Sequence, residues 1–403
     1  MSFVRPAMTA TTIAALSILL TACGSSSSTT PSHTSSTGAA GVDVTLASGA
    51  NGDECTASTD SVAAGPITFT VTNTSATGIT EFELLQDQKI VGEKENLAPG
   101  LPAVSFTVTL DGGAYQIYCP GAATEFTDFT VTGQAAAPAT GSTAQILADG
   151  AAQYATYVTA QVDQMVTSTQ ALQDAVDSGD VAAAQKAYGV ARPYYERVES
   201  DVEGFIKPGG DPTNNADNLD YLIDMRASNL DPAVGWTGFH AVERDLFKSQ
   251  KITDTTKKYA SDLTANVTQL AQLSTTLTYK PEDLANGAAG LLEEVQTNKI
   301  SGEEEKYSHI DLVDFAANVE GAQQAYAYLK PGLDKIDSTL SSTISTRFEA
   351  VLTMLDGYRD AEAIGGYKPY TAALKASDAN KLSQTVQALQ DSLATIAAKV
   401  ATA

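Results

Sequence analysis

Apolar and polar positions change their period once along this chain. Between residues 41 and 133 they alternate. ITFTVTNTS, ITEFELL, VSFTVTL, AYQIYC and FTDFTVTG set β-branched or aromatic residues at every second place, the spacing of strands with one buried face. AAGP, APGLP and LDGG lie between them and read as turns. So many short strands in one block predict a small β-sandwich. From residue 144 to the C-terminus the spacing becomes three and four. YATYVTAQVDQMVTSTQALQDAV, DVAAAQKAYGVARPYYERVESDVEGFI and KLSQTVQALQDSLATIAAKVA are examples. This predicts an all-α region of Ala-rich helices in antiparallel bundles, about eight by length. Asp180 and Asp378 each follow a short turn, where an N-cap is useful. ALQDAVDSGD and TAALKASDAN hint at a duplicated bundle. QAAAPATGST, residues 134–143, has the composition of a linker.

The N-terminus departs from both periods. MSFVRPAMTATTIAALSILLTAC carries Arg5 and then an apolar run from about Met8 to Ala22, short for a membrane span. Leu20-Thr21-Ala22-Cys23 resembles a bacterial lipobox. Residues 1–22 then read as a lipoprotein signal peptide and Cys23 as the lipidated residue. Residues 23–40 are a Ser/Thr-rich tether. The expectation is an extracytoplasmic protein anchored to the membrane, on the periplasmic side or the outer cell surface.

Charge narrows the partners. The formal net charge is −24 and the pI about 4.3, which leaves no basic footprint for nucleic acid and suits a solvated protein or one that attracts cations. The β-block holds twelve Asp or Glu against Lys89 and Lys94.

Two cysteines remain in the β-block, Cys55 and Cys119. Outside the cytoplasm they are most simply a disulfide; the alternative is a thiolate metal site with Glu81 or Glu83. AAGPITFTVTNTS, EKENLAPG and LDGGAYQIYCPG resemble a cupredoxin-like domain. A type 1 copper centre needs two His ligands, and no His lies between His33 and His240, so none is expected.

GWTGFHAVERDLF, residues 235–247, contains the chain's single Trp and the pair His240 and Glu243. At i, i+3 on a helix the two face one way, next to the apolar stripe of Phe239, Val242 and Leu246. An imidazole and a carboxylate so spaced can hold one metal ion, as bundle sites do with Glu-x-x-His. Such a pair also arises by chance. Other carboxylates gather in a few segments: Glu196 and Glu199 in RPYYERVES, Asp220 and Asp224 in NLDYLIDMR. Glu293, Glu294, Glu303, Glu304, Glu305, His309, Asp311 and Asp314 follow in LLEEVQTNKISGEEEKYSHIDLVDF. Each reads equally as a solvated helix face. Pro193 predicts a kink beside Glu196.

GWTGFHAVE, ARPYYERVE and LLEEVQTNKISGEEEKYSHIDLVDFAANVEGA with Pro331 resemble the imelysin-type domain of the EfeO family. The order of a cupredoxin-like and then a helical domain is that family's too. The resemblance runs from about residue 41 to the end and implies a cupredoxin-like sandwich at 41–133, then two four-helix bundles at 144–403. It implies capture of iron, Fe(II) or Fe(III), outside the cytoplasm. Delivery would be to an EfeU-like permease, alongside an EfeB-like haem peroxidase. By position its metal site carries over to His240, Glu243, Glu196, Glu199 and Asp220, with Glu304 from the GEEE run. Two departures stand out. Ala241 occupies a place that is usually basic, and the lipobox replaces an ordinary signal peptide.

Carboxylates with one imidazole suit iron and manganese, while affinity order alone favours Cu(II) or Zn(II). Binding should weaken in acid, because ligands must be deprotonated. An HxxE metallopeptidase is the alternative from a different class, but Arg244 breaks the H-x-x-E-H pattern. A polysaccharide-binding surface lipoprotein is the other, through the sixteen tyrosines, although tyrosine at helical spacing also packs cores.

Overall fold

The computed structural model describes residues 38–86, 89–135, 141–211 and 213–403. Cys23 with its lipobox, nearly all of the tether and the centre of the linker lie outside these. Among the described residues the strands are β1 (Ala40–Gly49), β2 (Gly52–Ala57), β3 (Ser61–Ala63), β4 (Gly65–Asn73), β5 (Phe82–Gln86), β6 (Lys89–Lys94), β7 (Val104–Leu110), β8 (Gly113–Tyr118) and β9 (Phe126–Thr132). They form two sheets, ordered β2-β1-β4-β7 and β3-β9-β8-β5-β6. β1 runs parallel to β4 and β3 parallel to β9; the other pairs are antiparallel.

Alternation along β4 explains the sandwich. Ile67, Phe69 and Val71 are buried in turn while the threonines between them face out. Phe69 meets Phe106 of its own sheet at 5.3 Å between ring centroids, and Phe82 and Phe129 of the other at 5.9 and 5.6 Å. That aromatic cluster joins the layers.

The helices are α1 (Ser142–Ser178), α2 (Val181–Glu196), α3 (Glu199–Val202), α4 (Leu219–Asp224), α5 (Gly238–Glu243), α6 (Asp254–Ser274), α7 (Pro281–Glu294), α8 (Asp311–Ile336), α9 (Ser338–Asp356), α10 (Ala372–Leu393) and α11 (Ile396–Val400). Asp180 caps α2, accepting from the N–H groups of Ala182 and Ala183. Asp378 does not cap. Thr371 starts α10, and Asp378, two turns in, accepts from the Tyr358 hydroxyl at 2.6 Å. α2 ends three residues after Pro193. α5 and α7 each continue into a π-helical turn, Arg244–Lys248 and Val295–Lys299, a local irregularity common beside functional sites.

α1, α2, α6 and α8 pack as one group, and α7, α8, α9 and α10 as another. The two expected bundles therefore share α8. The sandwich rests on the helices through β7, which packs on α7 and α11. Lys280 donates to the Thr109 carbonyl at 2.6 Å, Asn286 to that of Thr107 at 2.9 Å, and Lys94 pairs with Glu293 at 2.9 Å. Among the described residues no helix is long and apolar enough to cross a membrane.

Candidate metal centre

Gly238 opens α5 with φ +68, and a Cβ there would come within 2.1 Å of the Ile223 carbonyl oxygen. Only glycine lets α5 start this close to α4. Thr237 adds a hydrogen bond to the Leu222 carbonyl at 3.1 Å. This contact sets His240 against Asp224, the last residue of α4.

The imidazole has two different sides. Nε2 lies 3.5 Å from Asp224 Oδ1 and 3.4 Å from Glu304 Oε1. Neither contact has hydrogen-bond geometry, so Nε2 is buried with two ion-pair contacts and no hydrogen bond. Nδ1 faces Glu243 Oε2 at 3.3 Å. The second Glu243 oxygen accepts from the backbone N–H groups of Tyr307 at 2.6 Å and Ser308 at 2.7 Å. That pair of bonds pins the segment between α7 and α8 onto α5 and brings Glu304 to the imidazole.

Around this pair is a buried ionic network. Arg192, 0% exposed, contacts Glu196 and Asp224, and reaches Glu304 at 3.0 Å, Glu305 at 3.2 Å and Asp314 at 3.6 Å. Lys299, 1% exposed, lies 3.2 Å from both Glu196 and Glu199, 3.5 Å from Glu304 and 3.6 Å from Glu294. Arg226 bridges Glu294 at 3.2 Å and Glu304 at 3.1 Å. Burial alone pushes all these carboxyls up. At Asp224 the Arg192 guanidinium reverses that and holds the acid below its usual range. At Glu304, Lys299 and Arg226 outweigh burial and hold it well below. Lys299 and Arg226 lower Glu294 in the same way. Burial prevails at Glu305, which rises to about 8, at Asp311, which rises to about 7, and at Asp314 and Glu199, which are also well above the ordinary value. His240 is lowered by burial but raised more strongly by its carboxylate neighbours, and ends well above the usual histidine value.

Two groups have ligand atoms within 4.8 Å of one another: Asp224, His240 and Glu304, and His240, Glu243 and Glu305. Each offers one imidazole nitrogen and carboxylate oxygens, a donor set for a hard or intermediate cation.

The imelysin family profile (peptidase M75) matches residues 150–396, the part that carries this centre. Three relatives are named "Iron uptake system component EfeO". The protein of Escherichia coli strain UTI89 is 36% identical over 345 residues, covering 85% of this chain and 87% of the relative. That of Yersinia pseudotuberculosis strain IP32953 is 36% identical over 344 residues, covering 85% and 88%. That of E. coli K12 is 35% identical over 345 residues, covering 85% and 87%. The chain belongs to the EfeO group of the imelysin family.

Within this imelysin domain the expected ligands separate. His240, Glu243 and Glu304 meet. Glu196 and Glu199 lie in the next layer and hold Lys299, with Asn318 donating to Glu199 at 3.2 Å. Asp220 is not at the centre. It sits one turn before Asp224 on α4, accepts from the Tyr195 hydroxyl and lines a different cavity. Asp224 takes the place expected for it, because α4 ends against α5. Glu305 joins the centre beside Glu304; both are buried, while Glu303 reaches out to Ser228. The buried cations Arg192 and Lys299 carried no signal in the sequence beyond the need of clustered carboxylates for counter-charge. His309, at φ 60, belongs to no ligand group among the described residues.

In the β-domain Cys55 and Cys119 are joined in a disulfide, which leaves no thiolate to ligate a metal. Glu81 groups with Glu83 and Glu93 instead, with oxygens within 4.8 Å of one another. They open on a cavity of about 340 Å³ between sandwich and helices, also lined by Glu95, Glu203 and Asp220. Burial first, then the neighbouring carboxylates, raises Glu83 to about 9. Burial and the Glu81 charge raise Glu93 to about 7. Burial and Asp224 raise Asp220 to about 6.

Proposed function

We propose that the chain is the extracytoplasmic iron-capturing component of an EfeUOB-type uptake system and holds iron at the buried His240 centre. The observation that carries this reading is the buried His240 Nε2, 3.5 Å from Asp224 Oδ1 and 3.4 Å from Glu304 Oε1, which sets one imidazole nitrogen and two carboxylate oxygens together as donors. Iron here is cargo. Capture needs deprotonated ligands: Asp224 and Glu304 are held ionised, and His240, raised by those same carboxylates, gives up a proton as the cation binds. Copper and zinc compete for the same donors. The names of the EfeO relatives support iron over these. Delivery then goes to an EfeU-like permease in the membrane, with an EfeB-like haem peroxidase as partner. Lipidation at Cys23 tethers the protein beside them.

The family's peptidase designation has little support in this geometry. A catalytic zinc needs an open coordination position for water and substrate, and His240 is 1% exposed. Tyr154, Tyr188 and Tyr195 are buried in the helical core, which weakens the sugar-stacking alternative.

The test is radioactive iron uptake by cells lacking their own EfeO protein, complemented with this chain or its His240→Ala variant at matched levels. The wild type should restore uptake and the variant should not. Full restoration by His240→Ala would overturn the reading.

A further inference from the structure

We infer that Glu243, the acidic member of the His–x–x–Glu pair, is a positioning residue and not a ligand. It fixes the imidazole through Nδ1 so that Nε2, with Asp224 and Glu304, takes the cation. This rests on the metal-centre reading above and sharpens it.

Both oxygens of Glu243 are committed. Oε1 accepts from two backbone N–H groups, of Tyr307 and Ser308, at 2.6 and 2.7 Å. Oε2 faces Nδ1 at 3.3 Å. Ligation by Glu243 would break the bonds that tie the Glu304 segment to α5. The other member of that triad, Glu305, is occupied too: Tyr188 donates to one oxygen at 2.7 Å and Ser308 Oγ donates to the other. Nε2 is the contrary case. It is buried, has no hydrogen-bond partner and points at Asp224 Oδ1 and Glu304 Oε1. Arg192 shares those two oxygens, but each has two lone pairs, so one remains beside the guanidinium. A carboxylate that accepts a hydrogen bond from Nδ1–H fixes the ring so that, once the cation displaces the Nε2 proton, the Nε2 lone pair faces it, and it makes that nitrogen a better donor.

The test uses the purified protein labelled with 15N in histidine and loaded with 113Cd2+. The chain has three histidines, His33, His240 and His309, so its 15N spectrum is assignable. The expected result is a one-bond 113Cd–15N splitting at Nε2 of His240, with the Nδ1 proton retained. Splitting at Nδ1 would overturn the inference while leaving the ion on His240. Splitting at neither nitrogen would overturn the metal-centre reading as well. Glu243→Gln supplies a second readout. The two backbone donors hold the amide oxygen, so the amide N–H must donate to Nδ1 and the ring proton moves to Nε2. Cd2+ affinity should then fall about 10–100-fold with helical content unchanged. Unchanged affinity would contradict the positioning role.

Discussion

Two acidic regions of this molecule are rich in the same carboxylates and differ in whether any of them is held ionised. The His240 centre brings its own cations: Arg192, Lys299 and Arg226 lie within ion-pair distance of its carboxylates. The cavity between sandwich and helices gathers Glu81, Glu83, Glu93, Glu95, Glu203 and Asp220. Among the described residues none of these six forms an ion pair with arginine or lysine. In the first region Asp224 and Glu304 are held below their ordinary range; in the second all six acids are raised. Burial acts the same way in both. The difference is the built-in counter-charge, which is strong enough at Asp224 and Glu304 to outweigh burial and keep them ionised, while Glu305, Asp314 and Glu199 of the same centre stay raised.

The strongest way to break the comparison is to remove a cation. Lys299→Met leaves Glu304 and Glu294, the buried carboxylates it holds ionised, without it. We expect a loss of about 3–5 kcal/mol in urea unfolding, and a loss below about 1 kcal/mol would show that the network tolerates bare charge. Gly238→Ala should cost about 1–3 kcal/mol, through φ +68 and the close Ile223 carbonyl. Chemical shifts at His240 should move with it.

The cavity predicts the opposite sign. Glu83 is raised to about 9 from an ordinary 4.5. Its contribution to stability is full below about 4.5 and is lost as pH rises toward about 9. Glu83→Gln should therefore stabilise the protein at pH 8 by at least about 1 kcal/mol and flatten that alkaline decline. Melting curves across the range measure both effects, and a destabilised variant at pH 8 would mean that Glu83 is ionised in the fold. Asp224 and Glu304, which are depressed, lose their contribution only as pH falls through their lowered values. The smallest effect belongs to Glu303. Its contact is with Ser228, so Glu303→Gln should change stability by less than about 0.5 kcal/mol and leave cation affinity unaltered. A marked loss of affinity would shift the register of the GEEE run.

Much of this architecture is legible in the period of the apolar positions. VSFTVTL is β7 without adjustment, and the switch near residue 144 falls at the start of α1. β1 shares that alternation, with Val42, Val44 and Leu46 buried in turn, while β2, β3 and β6 are not separable by that criterion. β2, GDECTA, and β6, KIVGEK, are polar edge strands and carry too few apolar residues to alternate visibly. The His240–Glu243 pair is readable because i, i+3 spacing is local. Its third partner was within reach only as a segment: Asp220 and Asp224 are both on one short helix, and which turn meets α5 is decided by the Gly238 contact. The burial of Arg192 and Lys299 is a tertiary fact. Nothing in ARPYYE or TNKIS marks either residue as interior, since long cationic side chains are ordinarily exposed.

The most direct measurement is an anaerobic calorimetric titration of Fe(II) into the chain from residue 24 onward, with His240→Ala and Asp224→Asn beside it. The account predicts one tight site in the wild type, lost in both variants, with helical content preserved. Equal binding by wild type and variants would contradict it and move the iron away from the His240 centre.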